Sequence, residues 1–244
     1  MDLRDYKNST IFREKYWWFI GKRDFIDHLL QRFFGPPNKR RILDVGCGVG
    51  DDLGIISRYG EVVVLDSSDE TLKYIPDKYH KIRCELSDFT GDAAGFDGVV
   101  LFDVLEHLED DREALEKVNQ ILLPNGIMVI LVPAFSWLWS PHDEYLGHFR
   151  RYSRSSLLCL VKGSGFKVIG SGYWNSLLFP PIAAFRLLKR SLEKKVPQGT
   201  SDLFELPRLV NYILAQILHV ENSLHRLGIS FPFGSSVYMV LQKS

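Results

Sequence analysis

Seven residues, Asp44-Val45-Gly46-Cys47-Gly48-Val49-Gly50, place a carboxylate two positions before three alternating glycines. Glycines at this spacing let a backbone turn pass close to a ligand. A second acid, Asp66, follows Gly46 by twenty residues, where a carboxylate can accept both hydroxyls of a ribose. A dinucleotide turn reads GxGxxG and seats a pyrophosphate at a helix N-terminus. This turn reads GxGxG and runs on into Asp51 and Asp52, which would repel one. The expected ligand therefore carries a ribose without a phosphate. Reactive residue types also concentrate in PAFSWLWSPHDEYLGHFRRYS, residues 133–153. His142 and His148 can orient or deprotonate a nucleophile, Arg150 and Arg151 can hold an anion, and Trp137 and Trp139 can wall an apolar cavity. The competing reading is a structural loop whose Trp pair plugs the fold and whose arginines pair with Asp143 and Glu144.

The surrounding pattern must position these groups. RILDVGC reads as a strand, GVGDDLGIISRYG as a turn entering a helix, and EVVVLD as a second strand, which together make a βαβ unit. The alternation continues with a helix near Glu70 to Tyr74 and strands at HKIRCEL and FDGVVLFD. A helix follows, opened by Asp110 and Glu113 in capping-box spacing, with Ala114, Leu115, Val118, Ile121 and Leu122 on its buried face. GIMVILV is apolar on both faces and suits a central strand of a parallel sheet. A short helix in SRSSLLCLVKGSGF leads to the strand KVIGSGY, and SVYMVLQK closes the chain. The fold class expected is doubly wound α/β. The organisation expected is an N-terminal helical segment over residues 1–39, a core over 40–174, a helical insertion over 175–235 and a final core strand over 236–244. Within the insertion, Pro207 opens an amphipathic helix whose apolar stripe runs from Leu209, Val210 and Ile213 through Leu218 to Leu227, with Gly228 at the C-cap.

The bulk composition narrows the classes. Over 244 residues, thirty basic groups balance thirty acidic ones, so no global field recruits nucleic acid. The three cysteines, Cys47, Cys84 and Cys159, show no CxxC or zinc spacing, which suggests a reducing compartment and no bound metal. The charged start and the lack of an apolar run of about 18 residues point to the cytoplasm. In SLLFPPIAAFRLLKRSLEKK, Ile182, Phe185, Leu188 and Leu192 share a helical face, while Arg186, Lys189, Arg190, Lys194 and Lys195 crowd the rest. Such a helix fits an anionic membrane surface. Packing of Phe185 and Leu188 on the 207–227 helix is the alternative.

From Arg40 to Gly170 the chain resembles the class I S-adenosylmethionine-dependent methyltransferases, especially their small-molecule branch related to ubiquinone-biosynthesis enzymes. ILDVGCGVG looks like that family's first motif. The resemblance implies Gly46, Gly48 and Gly50 lining S-adenosyl-L-methionine, with Asp44 near its amino group. VVVLDSS implies Asp66 on the ribose with Ser67 beside it, and LSDF implies Asp88 at the adenine amine with Phe89 against the ring. FDGVVLFDVLEHL implies Phe102 and Asp103 near the methionine end, with Glu106 and His107 just beyond. It also implies a Rossmann-like sheet of seven strands ending in an antiparallel sixth and seventh. The 133–153 segment resembles bacterial and archaeal methyltransferases often associated with surface-glycan or lipid pathways.

The function expected is in-line transfer of a methyl group to a small-molecule or lipid- or glycan-linked acceptor. Positioning would supply most of the rate. For an oxygen nucleophile, His142 or His148 as general base would add about 10² to 10⁴. The alternative is a protein that binds the cofactor without catalysis, as a regulator or partner subunit. An NAD-dependent oxidoreductase is disfavoured by the glycine spacing, and a nucleic-acid methyltransferase by the balanced charge and the absence of an NPPY-like motif.

Overall fold

Strands rich in Val, Ile and Leu on both faces can be buried only between two helical layers. The computed structural model has this arrangement and describes residues 13–36, 38–91, 95–192 and 205–244. Seven strands form one sheet in the order β3-β2-β1-β4-β5-β7-β6. They are β1 (Arg41–Val45), β2 (Glu61–Asp66), β3 (His80–Arg83), β4 (Phe96–Phe102), β5 (Leu122–Pro133), β6 (Phe166–Trp174) and β7 (Ser236–Lys243). The first five pair in parallel. β7 runs antiparallel to both β5 and β6, giving the seven-stranded sheet with an antiparallel last strand that the sequence leads one to expect.

Helices cover both faces. On one face pack α1 (Trp17–Phe34), the short α2 (Leu53–Ile56) and α3 (Asp69–Leu72), and part of the insertion. On the other pack α4 (Asp111–Ile121) and α6 (Arg154–Val161), with α5 (Pro141–Leu146) in the loop after β5. The Asp110 carboxylate accepts from the Arg112 and Glu113 amides, and α4 buries Ala114, Leu115, Val118 and Ile121 as its spacing predicts. Leu122, expected on that helix, instead begins β5.

The insertion holds α7 (Phe179–Leu192) and α8 (Arg208–Arg226). Gly228 takes φ +85° and its N–H donates to His225 O, as expected of a C-terminal stop. The buried face of α8, however, is Ala215, Leu218, Glu221, Asn222 and His225, whereas Leu209, Val210, Ile213 and Leu227 are exposed. The expected stripe is thus correct only in part, at Leu218 and the half-buried Leu214, Ile217 and Leu224. The cause is a polar clasp to α1. Asn222 donates to Gly21 O and Asp24, Arg226 pairs with Asp24, and Asn211 bonds both the Trp17 N–H and Lys15 O. A Cβ on Gly21 would lie 2.2 Å from Leu218 Cδ1, so the two helices meet where α1 has no side chain.

Candidate cofactor and acceptor site

The carboxyl ends of parallel strands are where the helices part, and a cavity of about 880 Å³ opens at those of β1, β4 and β5. The β1 turn contributes Asp44, Gly46, Cys47 and Gly48, and the segment after β4 contributes Phe102, Asp103, Glu106 and His107. His142 and His148 enter from the loop after β5, and Trp17, Trp18 and Lys22 from α1.

Conformation at the turn follows from its glycines. Gly46 and Gly48 take φ +62° and +53°, and a side chain on Gly48 would meet nothing within 4 Å. That open space beside a backbone bend is a cradle for a ligand. Gly50, at φ +83°, does not line the cavity, and a Cβ there would collide with Leu53 and Ile75. Asp66 stands just behind the turn, and neither it nor Ser67 is part of the cavity lining. Its Oδ2 accepts the Gly48 N–H at 2.8 Å, and its Oδ1 accepts the Ser68 N–H and the Thr71 hydroxyl at 2.9 Å each. Ser67 is exposed beside it. Asp88 is exposed as well, and Phe89 packs within the core near Phe96, so neither lines the cavity.

Acids dominate the glycine side. Burial, reinforced by Asp52, raises the Asp44 carboxyl well above the ordinary range. Burial and then Asp103 do the same to Glu106, whose two carboxyl oxygens are fully buried without a hydrogen-bond partner. Asp103 has φ +56°, a conformation few non-glycine residues adopt. Its carboxylate lies 2.6 Å from Lys22 Nζ, and that of Asp52 lies at 3.2 Å. Burial alone would lower the Lys22 pKa, but Asp103 and Asp52 reverse this and hold the ammonium charged. Arg13 in turn pairs with Asp51 at 2.7 Å. Asp51 and Asp52 therefore act as partners for α1 and its leading residues, and their charge is met. Burial also raises the Cys47 thiol pKa, which suits a small filler between glycines better than a nucleophile.

The loop after β5 is organised by Asp143, which is fully buried in α5. It accepts from the Ser140 N–H and hydroxyl, from both Nε and a terminal nitrogen of Arg151, and lies 2.9 Å from His148 Nδ1. An ionised carboxylate can only accept, so His148 Nδ1 donates to Asp143, which leaves Nε2 as the ring atom able to take up a proton. The His107 ring meets His148 edge-on at 4.6 Å. Burial, and then His148, lower the His107 pKa. One ligand atom each from Glu106, His107 and His148 lies within 4.8 Å of the others, a carboxylate and imidazole set of the kind that can hold a divalent metal.

Two sequence expectations for this loop need correction. Arg151 is committed to Asp143, and Arg150 to Asp111 and Glu109 O, so these cations serve the loop's structure rather than an anionic ligand. Trp137 and Trp139 do not line the cavity. Trp137 is 45% exposed and stacks on Phe135, and Trp139 Nε1 donates to Glu144. The indoles at the cavity are those of Trp17 and Trp18, in the segment read from sequence only as helical. The run Tyr16-Trp17-Trp18-Phe19 followed by Lys22 was the available signal.

A protein family described as a methyltransferase domain matches residues 19–171, more than half of the chain. The chain belongs to that family. The match begins inside α1, so the helix bearing Trp18 and Lys22 lies largely within the methyltransferase domain. Among relatives, a "Probable S-adenosylmethionine-dependent methyltransferase" of Mycolicibacterium smegmatis is 26% identical over 161 residues, 64% of this chain and 61% of that protein. A ubiquinone biosynthesis O-methyltransferase of Bradyrhizobium diazoefficiens is 33% identical over 104 residues, covering 40% of this chain and 41% of that one. The aligned part thus spans about three-fifths of the first relative and two-fifths of the second. A crystal structure of a SAM-dependent methyltransferase from Archaeoglobus fulgidus shares the fold, with a TM-score of 0.58 at 17% identity over 91% of this chain and 94% of that one. The fold of the methyltransferase domain is therefore the class I fold that its motifs resemble.

Proposed function

We propose that the protein transfers a methyl group from S-adenosylmethionine to a small-molecule acceptor. The observation that carries this reading is one continuous cavity joining the Gly46–Gly48 turn and Asp103 to the imidazoles of His142 and His148. Its volume, about 880 Å³, lies near the upper end of the roughly 300–1,000 Å³ usual for small-molecule sites. The residues present fit the cofactor. Gly48 leaves backbone room, Asp44 offers a buried acid to an ammonium, and Asp66 offers a fixed carboxylate to a ribose.

When bound, S-adenosylmethionine supplies a methyl group on a positively charged sulfur. The chain's own work is positioning, which for an already activated group accounts for most of the rate. Trp17 and Trp18 cover the cavity from α1 and restrict water. His148, oriented by Asp143, is the general base for an oxygen acceptor, and His142 lies on the same wall. Neither Asp88 nor Phe89 is required to touch the cofactor in this arrangement. Mass spectrometry of metabolite, lipid and glycan extracts, incubated with the protein and methyl-labelled cofactor, tests the reading. A labelled product is expected, and cofactor binding without any product favours a regulatory protein.

For the acceptor we infer a lipid- or glycan-linked molecule. Phe185 lines the cavity and is 50% exposed, and Leu188 one turn on is 64% exposed, so neither is covered by α8. Apolar side chains at the rim of a site suit a substrate held at a bilayer surface. Among the described residues no helix is long and apolar enough to cross a membrane, so the contact would be peripheral. The side chains of Lys189 and Arg190, and residues Lys194 and Lys195, lie outside the described residues. Co-sedimentation with anionic liposomes should fall with salt and on joint Lys189→Glu and Arg190→Glu substitution. Equal recovery with and without anionic lipid points to a water-soluble acceptor.

A further inference from the structure

Lys22 is the buried cation beside the glycine turn, and its placement calls for a partner that the described residues do not supply. An ammonium has three N–H donors. Asp103 and Asp52 take two, and the Trp18 ring lies 5.5 Å from Nζ. Among the described residues, the third donor has no partner. Lys22 is also a cavity-lining residue, within electrostatic reach of Asp44.

The ligand proposed above carries two cationic centres and one carboxylate at its amino-acid end. Asp44, Asp103 and Glu106 suit the cationic centres and offer the carboxylate no positive charge. An anion placed on this acidic wall needs a cation that is already desolvated and fixed in place. We propose that Lys22 is the group that holds the carboxylate of S-adenosylmethionine, with Asp52 and Asp103 orienting the ammonium toward it. This rests on the cofactor reading above. It makes α1 part of the cofactor site, with Lys22 selecting ligands that carry the carboxylate.

The merely structural role, neutralising Asp52 and Asp103 to dock α1, makes a different prediction. Calorimetry with S-adenosylmethionine and its decarboxylated analogue separates the two, because the analogue keeps both cationic centres and lacks only the anion. The wild-type protein should prefer S-adenosylmethionine by about ten- to a hundredfold, the range of one charge-assisted hydrogen bond. Lys22→Met should bring that ratio to about one, and Lys22→Arg should restore part of it. If Lys22→Met weakens both ligands by the same factor and leaves the ratio intact, the assignment is overturned. The same holds if the wild type binds the two ligands equally. If Lys22→Met fails to fold, its combination with Asp52→Asn removes one of the unpaired acids, and the same ratio is read. Wild-type protein that binds neither ligand overturns the cofactor reading itself, an outcome distinct from loss of the ratio alone.

Discussion

Replacing Asp143 by Asn removes one negative charge and keeps the shape of the side chain. In the native loop this carboxylate answers the Arg151 guanidinium through two bonds of 2.7 and 3.0 Å, together with His148 and Ser140. Both Arg151 and Asp143 are buried, so the variant leaves a cation without its counter-charge and turns an amide N–H₂ toward other donors. Breaking a buried pair in this way costs about 3–5 kcal/mol, a large part of the roughly 5–15 kcal/mol of total stability. Burial alone would raise the Asp143 pKa, but His148 and Arg151 outweigh it and hold the carboxyl well below the ordinary range. A depressed folded pKa means that the unfolded state binds more protons as the pH falls. The contribution is then complete above the unfolded value of about 3.9 and declines as the pH drops below it toward the folded value. Asp44 and Glu106 titrate in the opposite sense, but they are common to both proteins and cancel in the difference. Urea unfolding of wild type and Asp143→Asn from pH 7 downward gives that difference directly. It should be about 3–5 kcal/mol at pH 7 and shrink below about pH 4. A difference under about 1 kcal/mol that does not change with pH would refute the view that this charge organises the loop.

Asp66→Ala should weaken S-adenosylmethionine binding by at least about 1.5 kcal/mol in calorimetry, and unchanged affinity in a folded variant removes Asp66 from the ribose. His142→Gln and His148→Gln, assayed across pH with the identified acceptor, should separate a base from a positioning group. Loss of the acid-side limb, where protonation switches a general base off, is expected in His148→Gln alone, and full turnover with an unchanged profile in both makes the loop structural. Gly21→Ala would stabilise an open helix by about 0.5–1 kcal/mol. Here the added methyl also meets Leu218 Cβ at 2.8 Å, so a net loss of about 1–3 kcal/mol is expected from thermal unfolding. A gain in stability would mean that α1 and α8 can separate at no cost.

The sheet was legible in the sequence because the inner parallel strands β1, β2, β4 and β5 are largely apolar on both faces and each is punctuated by a turn. The motif acids Asp44 and Asp103 were legible because they sit at strand ends beside glycine or a helix start. α8 was misread in orientation because periodicity finds an apolar stripe without finding what covers it. Its docked face carries Glu221 and Asn222, which are buried because Ser176, Leu177, Gly21 and Asp24 supply their hydrogen bonds. The role of Trp137 and Trp139 was overestimated because a loop's position at the strand ends says nothing about which rings turn inward. Lys22 went unnoticed because its two acids lie about 30 and 81 residues away in the chain, a pairing that only the tertiary fold creates.

The clasp between α1 and α8 also sets an order of events at the ribosome. Asn222 and Gly21, which it joins, are 201 residues apart. At about 5–20 residues per second, α1 emerges roughly 10–40 s before the helix that will cover it. Throughout that interval Trp17 and Gly21 face no partner on α8, while the strands that end at Val45 and Phe102 are completed. The nascent chain should therefore present an aromatic helix as a holding site for chaperones, and truncations that stop before Asn211 should aggregate although they contain the entire glycine turn.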